Sequence, residues 1–211
     1  MMALIAAVVV AYLIGSFPTS ILTGKILRGI DIREHGSGNA GGTNVFRVLG
    51  AGPGLFVMAF DVFKGFAATW WITRLFLPLV PLPIDIMMIL VGCGAVAGHI
   101  WTLFAGFRGG KGVGTAAGML LAMYPLALLI CLVVFALVFI ISRIMSLASM
   151  SAALTLPVTL SLFRYVLDVP VSFALYMFSF IIAVLIIFTH RANIKRLVNG
   201  TENKFGKSRP S

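Results

Sequence analysis

Long apolar runs separated by short polar segments set the architecture. A helix needs about 20 apolar residues to cross the hydrocarbon of a bilayer, and the runs 3–24, 54–76, 84–104 and 171–190 fit that length. Pro18 falls inside the first run and is expected to kink it. The stretch 115–163 is apolar too, but is broken at Tyr124-Pro125 and at Ser142-Arg143.

Lysine and arginine mark the cytoplasmic side of each connection. Lys25, Arg28, Arg33 and Arg47 lie between the first two runs, and Arg108 and Lys111 follow the third. Arg191, Lys195, Arg196, Lys204, Lys207 and Arg209 make a basic tail. The loop 77–84 is proline-rich, carries neither cation, and is expected outside. An even number of crossings must then fit between 112 and 190. Splitting at Pro125 into 112–124, 126–141, 147–163 and 171–190 achieves this, as does a re-entrant hairpin near 112–141. The expectation is an all-α polytopic membrane protein of about seven transmembrane helices. Its N-terminus is outside, its C-terminus is cytoplasmic, and 1–211 forms a single domain.

Composition agrees: 60% of residues are hydrophobic and only 10% charged, far from a soluble chain. The formal charge of +10 is read as inner-leaflet anchoring, not nucleic-acid binding. Cys93 and Cys131 sit in apolar runs without metal-ligand spacing. Residues 1–14 lack a basic leader and a clean cleavage site, so they are read as part of the first span.

Three polar segments on the cytoplasmic side carry the candidate chemistry. In 35–47, glycines alternate with hydroxyls and amides, and Arg47 closes the run. Glycines allow backbone N–H groups to converge on an anion; Ser37, Asn39, Thr43 and Asn44 add side-chain donors, and the turn at Ser37, Gly38 and Asn39 offers N–H groups to an oxyanion. In 107–115, Arg108, Gly109, Gly110, Lys111 and Gly112 open onto a helix N-terminus, whose partial positive charge favours phosphate. The Walker spacing is absent. In 190–204, His190, Asn193 and Leu197 share a face if the last span continues as a helix. Arg191, Lys195 and Arg196 read as headgroup anchors, and Asp61 is expected to pair with Lys64 within one span. Six acidic residues, scattered, give no cluster for a metal. An anion transporter would also use glycine loops and broken helices, but the polar motifs lie on one side and no inverted repeat is visible.

These residues resemble the acyl-phosphate-dependent glycerol-3-phosphate acyltransferases, the PlsY family. The run Gly36-Ser37-Gly38-Asn39 with Gly41, Thr43-Asn44 and Arg47 resembles its first motif. Gly98-His99 leading to Phe107-Arg108-Gly109-Gly110-Lys111-Gly112-Val113 resembles the second, and His190-Arg191, Asn193-Ile194, Arg196-Leu197, Gly200 and Glu202 the third. Phe60-Asp61-Val62 with Lys64-Gly65 is similar as well. Gly42, Thr102 and Arg108 depart from the usual pattern without removing a needed polar group.

The resemblance implies acyl transfer from an acyl phosphate to the 1-hydroxyl of sn-glycerol 3-phosphate, giving lysophosphatidic acid and phosphate. This is the first acylation of bacterial phospholipid synthesis. It implies a multi-pass protein of the bacterial inner membrane, with a cytoplasmic active site, no cofactor, and a possible link to the enzyme that supplies acyl phosphate. Ser37 and Arg47 fall on the essential residues of the first motif, with Gly38, Asn39 and Asn44 beside them in a phosphate-binding role. Gly109, Gly110 and Gly112 fall on the glycerol 3-phosphate site, with Arg108 and Lys111 alongside. His190 and Asn193 fall on residues that support activity, and Glu202 on one that supports integrity. The base is either His190 or a phosphate oxygen of the substrate; the resemblance favours the latter. The H-x-x-x-x-D motif of thioester-dependent acyltransferases is absent, since Ala40, Phe104 and Lys195 stand where the aspartate would follow His35, His99 and His190.

Overall fold

In the computed structural model, which describes residues 1–205, the chain is helical throughout, with no strand among the described residues. The all-α membrane architecture expected from the hydropathy pattern is therefore the one found. Two compact units are present: Met1–Met123, and a second that begins at Tyr124.

In the first unit, α1 (Met2–Gly15) ends at a break, and α2 (Thr19–Arg28) resumes after Pro18. Proline lacks an N–H and cannot continue the ladder, so the break falls where the sequence placed the kink. A short amphipathic helix follows, α3 (Gly42–Leu49). The next span is α4 (Ala51–Ala67), a π-helical turn at Ala68–Ile72, and α5 (Thr73–Phe76). Then come α6 (Ile84–Ile100) and the 11-residue α7 (Val113–Met123).

Small residues bring these helices into backbone contact. Ala7, Ala11 and Gly15 are buried along one stripe of α1. A Cβ on Gly15 would collide with the Ala95 carbonyl of α6, and one on Gly98 with the Tyr12 carbonyl of α1. Gly65 of α4 meets Thr115 of α7 in the same way, and Gly118 of α7 meets Val62. Apolar side chains gain nothing by leaving lipid for one another, so close van der Waals approach drives such pairs.

The α1–α2 break is pinned by hydrogen bonds to residues distant in sequence. Ser16 Oγ donates to Gly98 O at 3.3 Å, Thr102 Oγ1 donates to Ser16 O, and Lys64 Nζ donates to Phe17 O at 3.1 Å. In lipid every exposed carbonyl needs such a partner.

The second unit contains α8 (Pro125–Ser142), α9 (Met145–Tyr165), α10 (Phe173–Thr189) and α11 (Arg191–Val198). Pro125 is the first residue of α8, where its missing N–H costs nothing, and Arg143 ends that helix in a left-handed conformation, φ 58°. Both breaks are where the sequence predicts them. Among the described residues, five helices are long and apolar enough to cross a membrane. With the bent pair α10–α11 and the shorter apolar α7, they account for the expected segments.

Candidate active site

The first motif is a loop held by one buried amide. Asn44, on the first turn of α3, is 1% exposed. Its Nδ2 donates to Ile32 O at 2.8 Å and to His35 O at 2.9 Å. Its Oδ1 accepts the Ser37 N–H at 2.7 Å. Gly36 crosses above with φ 62°, and a Cβ there would collide with Asn44 Oδ1. The expectation that Asn44 offers its donors to a phosphate is corrected: both amide hydrogens go to main-chain carbonyls. The expected oxyanion donors change too. The Ser37 N–H goes to Asn44, and the Gly38 N–H to His35 O at 3.1 Å. Arg47, in the last turn of α3, is half-buried. The expected loop is thus half helix, and α3 puts Asn44 and Arg47 on one rigid element.

Upstream, Asp31 caps a 3₁₀ turn at Ile32–Glu34, accepting the Arg33 N–H at 3.0 Å and the Arg33 guanidinium at 2.7 Å. The hydrogen bond from the Arg33 side chain lowers the Asp31 carboxyl to about 2. The same guanidinium donates to Ala105 O at 2.8 Å. It thereby ties the approach to the first motif to the loop that leads into the second.

The second motif connects α6 to α7. The Gly109 N–H donates to Ile100 O at 3.1 Å and the Gly110 N–H to His99 O at 3.0 Å. A Cβ on Gly109 would strike the His99 carbonyl, and one on Gly110 would strike His99 Nε2. Gly112 has φ 83° and directly precedes α7, a conformation that L side chains disfavour. The two glycine N–H groups expected to face a phosphate instead satisfy carbonyls at the end of α6. Lys111 is half-buried and Arg108 exposed.

Beneath this loop lies a buried polar cluster. Lys64 Nζ is 2.9 Å from Asp61 Oδ1, the pairing expected from their spacing on α4. His99 of α6 joins them, its Nδ1 3.5 Å from the same oxygen, and all three side chains are at most 7% exposed. Sequence reasoning missed His99 as a member, because nothing local links α6 to α4. A small pocket opens here, lined by Ser20, Ala40, Asp61, Lys64, His99 and Gly110 among others.

The third motif belongs to the second unit. The last span does not continue straight: α10 and α11 meet at His190 with a bend of 61°. His190 is 2% exposed and its Nδ1 lies 2.8 Å from Ile186 O. A carbonyl only accepts, so Nδ1 carries a hydrogen in this contact. Asn193 Nδ2 donates to Glu202 Oε1 at 2.6 Å, Arg196 Nε to Oε2 at 2.6 Å, and Ser146 Oγ to Oε1 at 2.8 Å. Burial pushes the Glu202 carboxyl up, but the bonds from Asn193, Arg196 and Ser146 outweigh it and hold the carboxyl low. Arg196 is therefore a partner of Glu202 and not the simple headgroup anchor expected. Ser146, on α9, fixes the tail to that helix through Glu202.

Membrane-length helices with glycine-rich loops beside a buried polar cluster define an integral membrane protein. The profile of the family described as glycerol-3-phosphate acyltransferase matches residues 5–200. The chain belongs to that family, and is a multi-pass glycerol-3-phosphate acyltransferase of the PlsY type. It is 46% identical over 231 residues to the glycerol-3-phosphate acyltransferase of Chlorobaculum tepidum, covering 99% of each chain. It is 44% identical over 234 residues to that of Pelodictyon phaeoclathratiforme, covering 98% of this chain and 99% of the other. A crystal structure of PlsY, an integral membrane glycerol 3-phosphate acyltransferase, in its glycerol 3-phosphate form superposes with TM-score 0.83, 35% identity and 96% coverage of both chains. Its lysophosphatidic acid form gives TM-score 0.81 at 34% identity, covering 96% of this chain and 95% of that one.

Proposed function

We propose that this protein transfers a fatty acyl group from acyl phosphate to the 1-hydroxyl of sn-glycerol 3-phosphate, releasing lysophosphatidic acid and inorganic phosphate. The reaction takes place at the cytoplasmic face of the bacterial inner membrane, with the N-terminus outside and the C-terminus inside. The two units act together as one enzyme, beside an enzyme that supplies acyl phosphate.

The observation that carries this reading is the Asn44 clasp, which presents Ser37 on a glycine-bounded turn one helix away from Arg47. A mixed anhydride already has phosphate as a good leaving group, so catalysis consists mainly of positioning and charge stabilisation. The glycerol hydroxyl attacks the acyl carbon, the C–O bond to phosphate breaks, and the proton passes to a phosphate oxygen. His190 is the alternative acceptor, through Nε2. Ser37 and Arg47, with Gly38 and Asn39, hold the acyl phosphate. Lys111, Arg108, Gly112 and the start of α7 receive glycerol 3-phosphate, while Gly109 and Gly110 seat that loop on α6. His190 and Asn193, in the second unit, support activity, and Glu202 braces Asn193. Neither a metal nor a cofactor takes part.

The test is purified enzyme with glycerol 3-phosphate and either palmitoyl phosphate or palmitoyl-CoA at equal concentration. Turnover is expected with the phosphate alone. Comparable turnover with the thioester overturns the donor assignment.

A further inference from the structure

We propose that His99, held by Asp61, is a positioning residue for glycerol 3-phosphate: its ring is the stop against which the Gly109–Gly110 backbone rests. The proposal depends on the reading of the second motif as the glycerol 3-phosphate loop.

Three ionisable side chains from two membrane helices are an expensive way to pack a core. An apolar set of the same volume would be at least as stable, and ionisable groups at membrane depth mark function by default. Lys64 and Asp61 compensate each other within α4 at 2.9 Å, which does not require a histidine from α6. His99 has two edges with separate contacts. Its Nδ1 edge faces Asp61 Oδ1 at 3.5 Å. Its Nε2 edge lies where a Cβ of residue 110 would be, so the ring and the loop backbone are already in contact.

The main chain of the same residue accepts the Gly110 N–H at 3.0 Å. Together with the Gly109 bond to Ile100 O, that bond fixes the register of the loop on the end of α6. The ring backs the loop on the residue 110 side, and Asp61 decides where the ring stands. Lys64 carries the same constraint to Phe17 O at 3.1 Å, so the α1–α2 break, α4 and α6 share one polar anchor. The pocket lined by Ser20, Lys64, His99 and Gly110 opens beside the loop that this anchor aims.

Five purified variants decide the matter: His99→Asn, His99→Gln, Asp61→Asn, the double variant His99→Asn with Asp61→Asn, and Gly110→Ala. Each is assayed for the KM of both substrates and for kcat, with a thermal unfolding midpoint to establish folding. Asparagine reaches the Nδ1 position and loses the edge against Gly110; glutamine reaches the Nε2 position. His99→Asn and Asp61→Asn are expected to raise the KM for glycerol 3-phosphate roughly tenfold, the size of one lost binding contact. The KM for palmitoyl phosphate and kcat stay within about threefold. The double variant is no worse than the more severe single one, because the two residues act through one contact. His99→Gln recovers most of the loss. Equal effects on both substrates, a fall in kcat at unchanged KM, multiplicative losses, or a glutamine as poor as the asparagine overturns the proposal. Should Asp61→Asn fail to fold, the pair of His99 variants decides alone. If Gly110→Ala leaves the KM for glycerol 3-phosphate unchanged, the reading of the loop fails. If Gly110→Ala raises it and His99→Asn does not, only the role of His99 fails.

Discussion

Asn44 Oδ1 accepts the Ser37 N–H at 2.7 Å, so the loop serine is placed from the first turn of α3. Replacing Asn44 by alanine leaves the Ser37 N–H without its partner and takes the side-chain donor from the Ile32 and His35 carbonyls, which keep the His35 and Gly38 N–H groups. Each unmade bond costs about 1–3 kcal/mol where it is buried. We expect Asn44→Ala to lower the thermal midpoint and to cut kcat by about 10²-fold through misplacement of Ser37. Unchanged kcat in folded protein would mean that the clasp does not set the site.

Ser37→Ala and Arg47→Ala are expected to leave a folded, membrane-inserted protein with nearly no turnover. The measurement is product formation at saturating substrates, alongside size-exclusion behaviour in detergent. Activity above roughly a tenth of the parent, about 1.4 kcal/mol of barrier, would remove these residues from the chemistry.

Lys111 stands between Gly110, seated on His99, and Gly112, whose φ is 83°. Lys111→Ala is expected mainly to raise the KM for glycerol 3-phosphate, by about tenfold or more for loss of a charge-assisted contact. A loss confined to kcat would assign the lysine to the transition state and not to substrate capture.

Glu202 gathers Asn193, Arg196 and Ser146 and is held below its ordinary value of 4.5. A depressed carboxylate stabilises the fold above its unfolded-state value, and that contribution disappears as pH falls through the folded-state value. Thermal midpoints should therefore drop on acidification below about 4.5. Glu202→Gln should be less stable at neutral pH by about 1–3 kcal/mol and should show a flatter acid limb. An acid limb identical to the parent's would assign it to other groups.

Single cysteines at Ser37, Leu82 and Gly200, in a background lacking Cys93 and Cys131, report the topology. With an impermeant thiol reagent on intact cells, only the Leu82 site should react. Labelling at Ser37 or Gly200 would invert the proposed orientation.

What could be read from the chain follows the range of the interactions. Breaks at Pro18, Tyr124-Pro125 and Ser142-Arg143 are written in single residues, and the Asp61–Lys64 pair in a spacing of three; all were legible. The α3 helix was not, because Gly41 and Gly42 at its start look like loop and its apolar face is only two turns long. The bend at His190 has neither proline nor glycine to announce it. His99 beside Asp61, and Ser146 on Glu202, join residues far apart in sequence, and no local pattern encodes such a meeting. The family motifs mark these residues as a set, but they do not separate residues that hold the loops from residues that those loops present.

The broken first span also has a consequence for biogenesis. Ser16 and Phe17 leave the ribosome early, before the long-range donors to their carbonyls exist; Phe17 O then has only the Thr19 N–H, and Ser16 O waits for Thr102. Lys64 arrives with the second span, and Thr102 only after the third. The kinked form of the first helix is thus inaccessible to the nascent chain as it first inserts. The amino-terminal segment must remain close to the translocon, or near water, until Thr102 has emerged and the three spans can close around it.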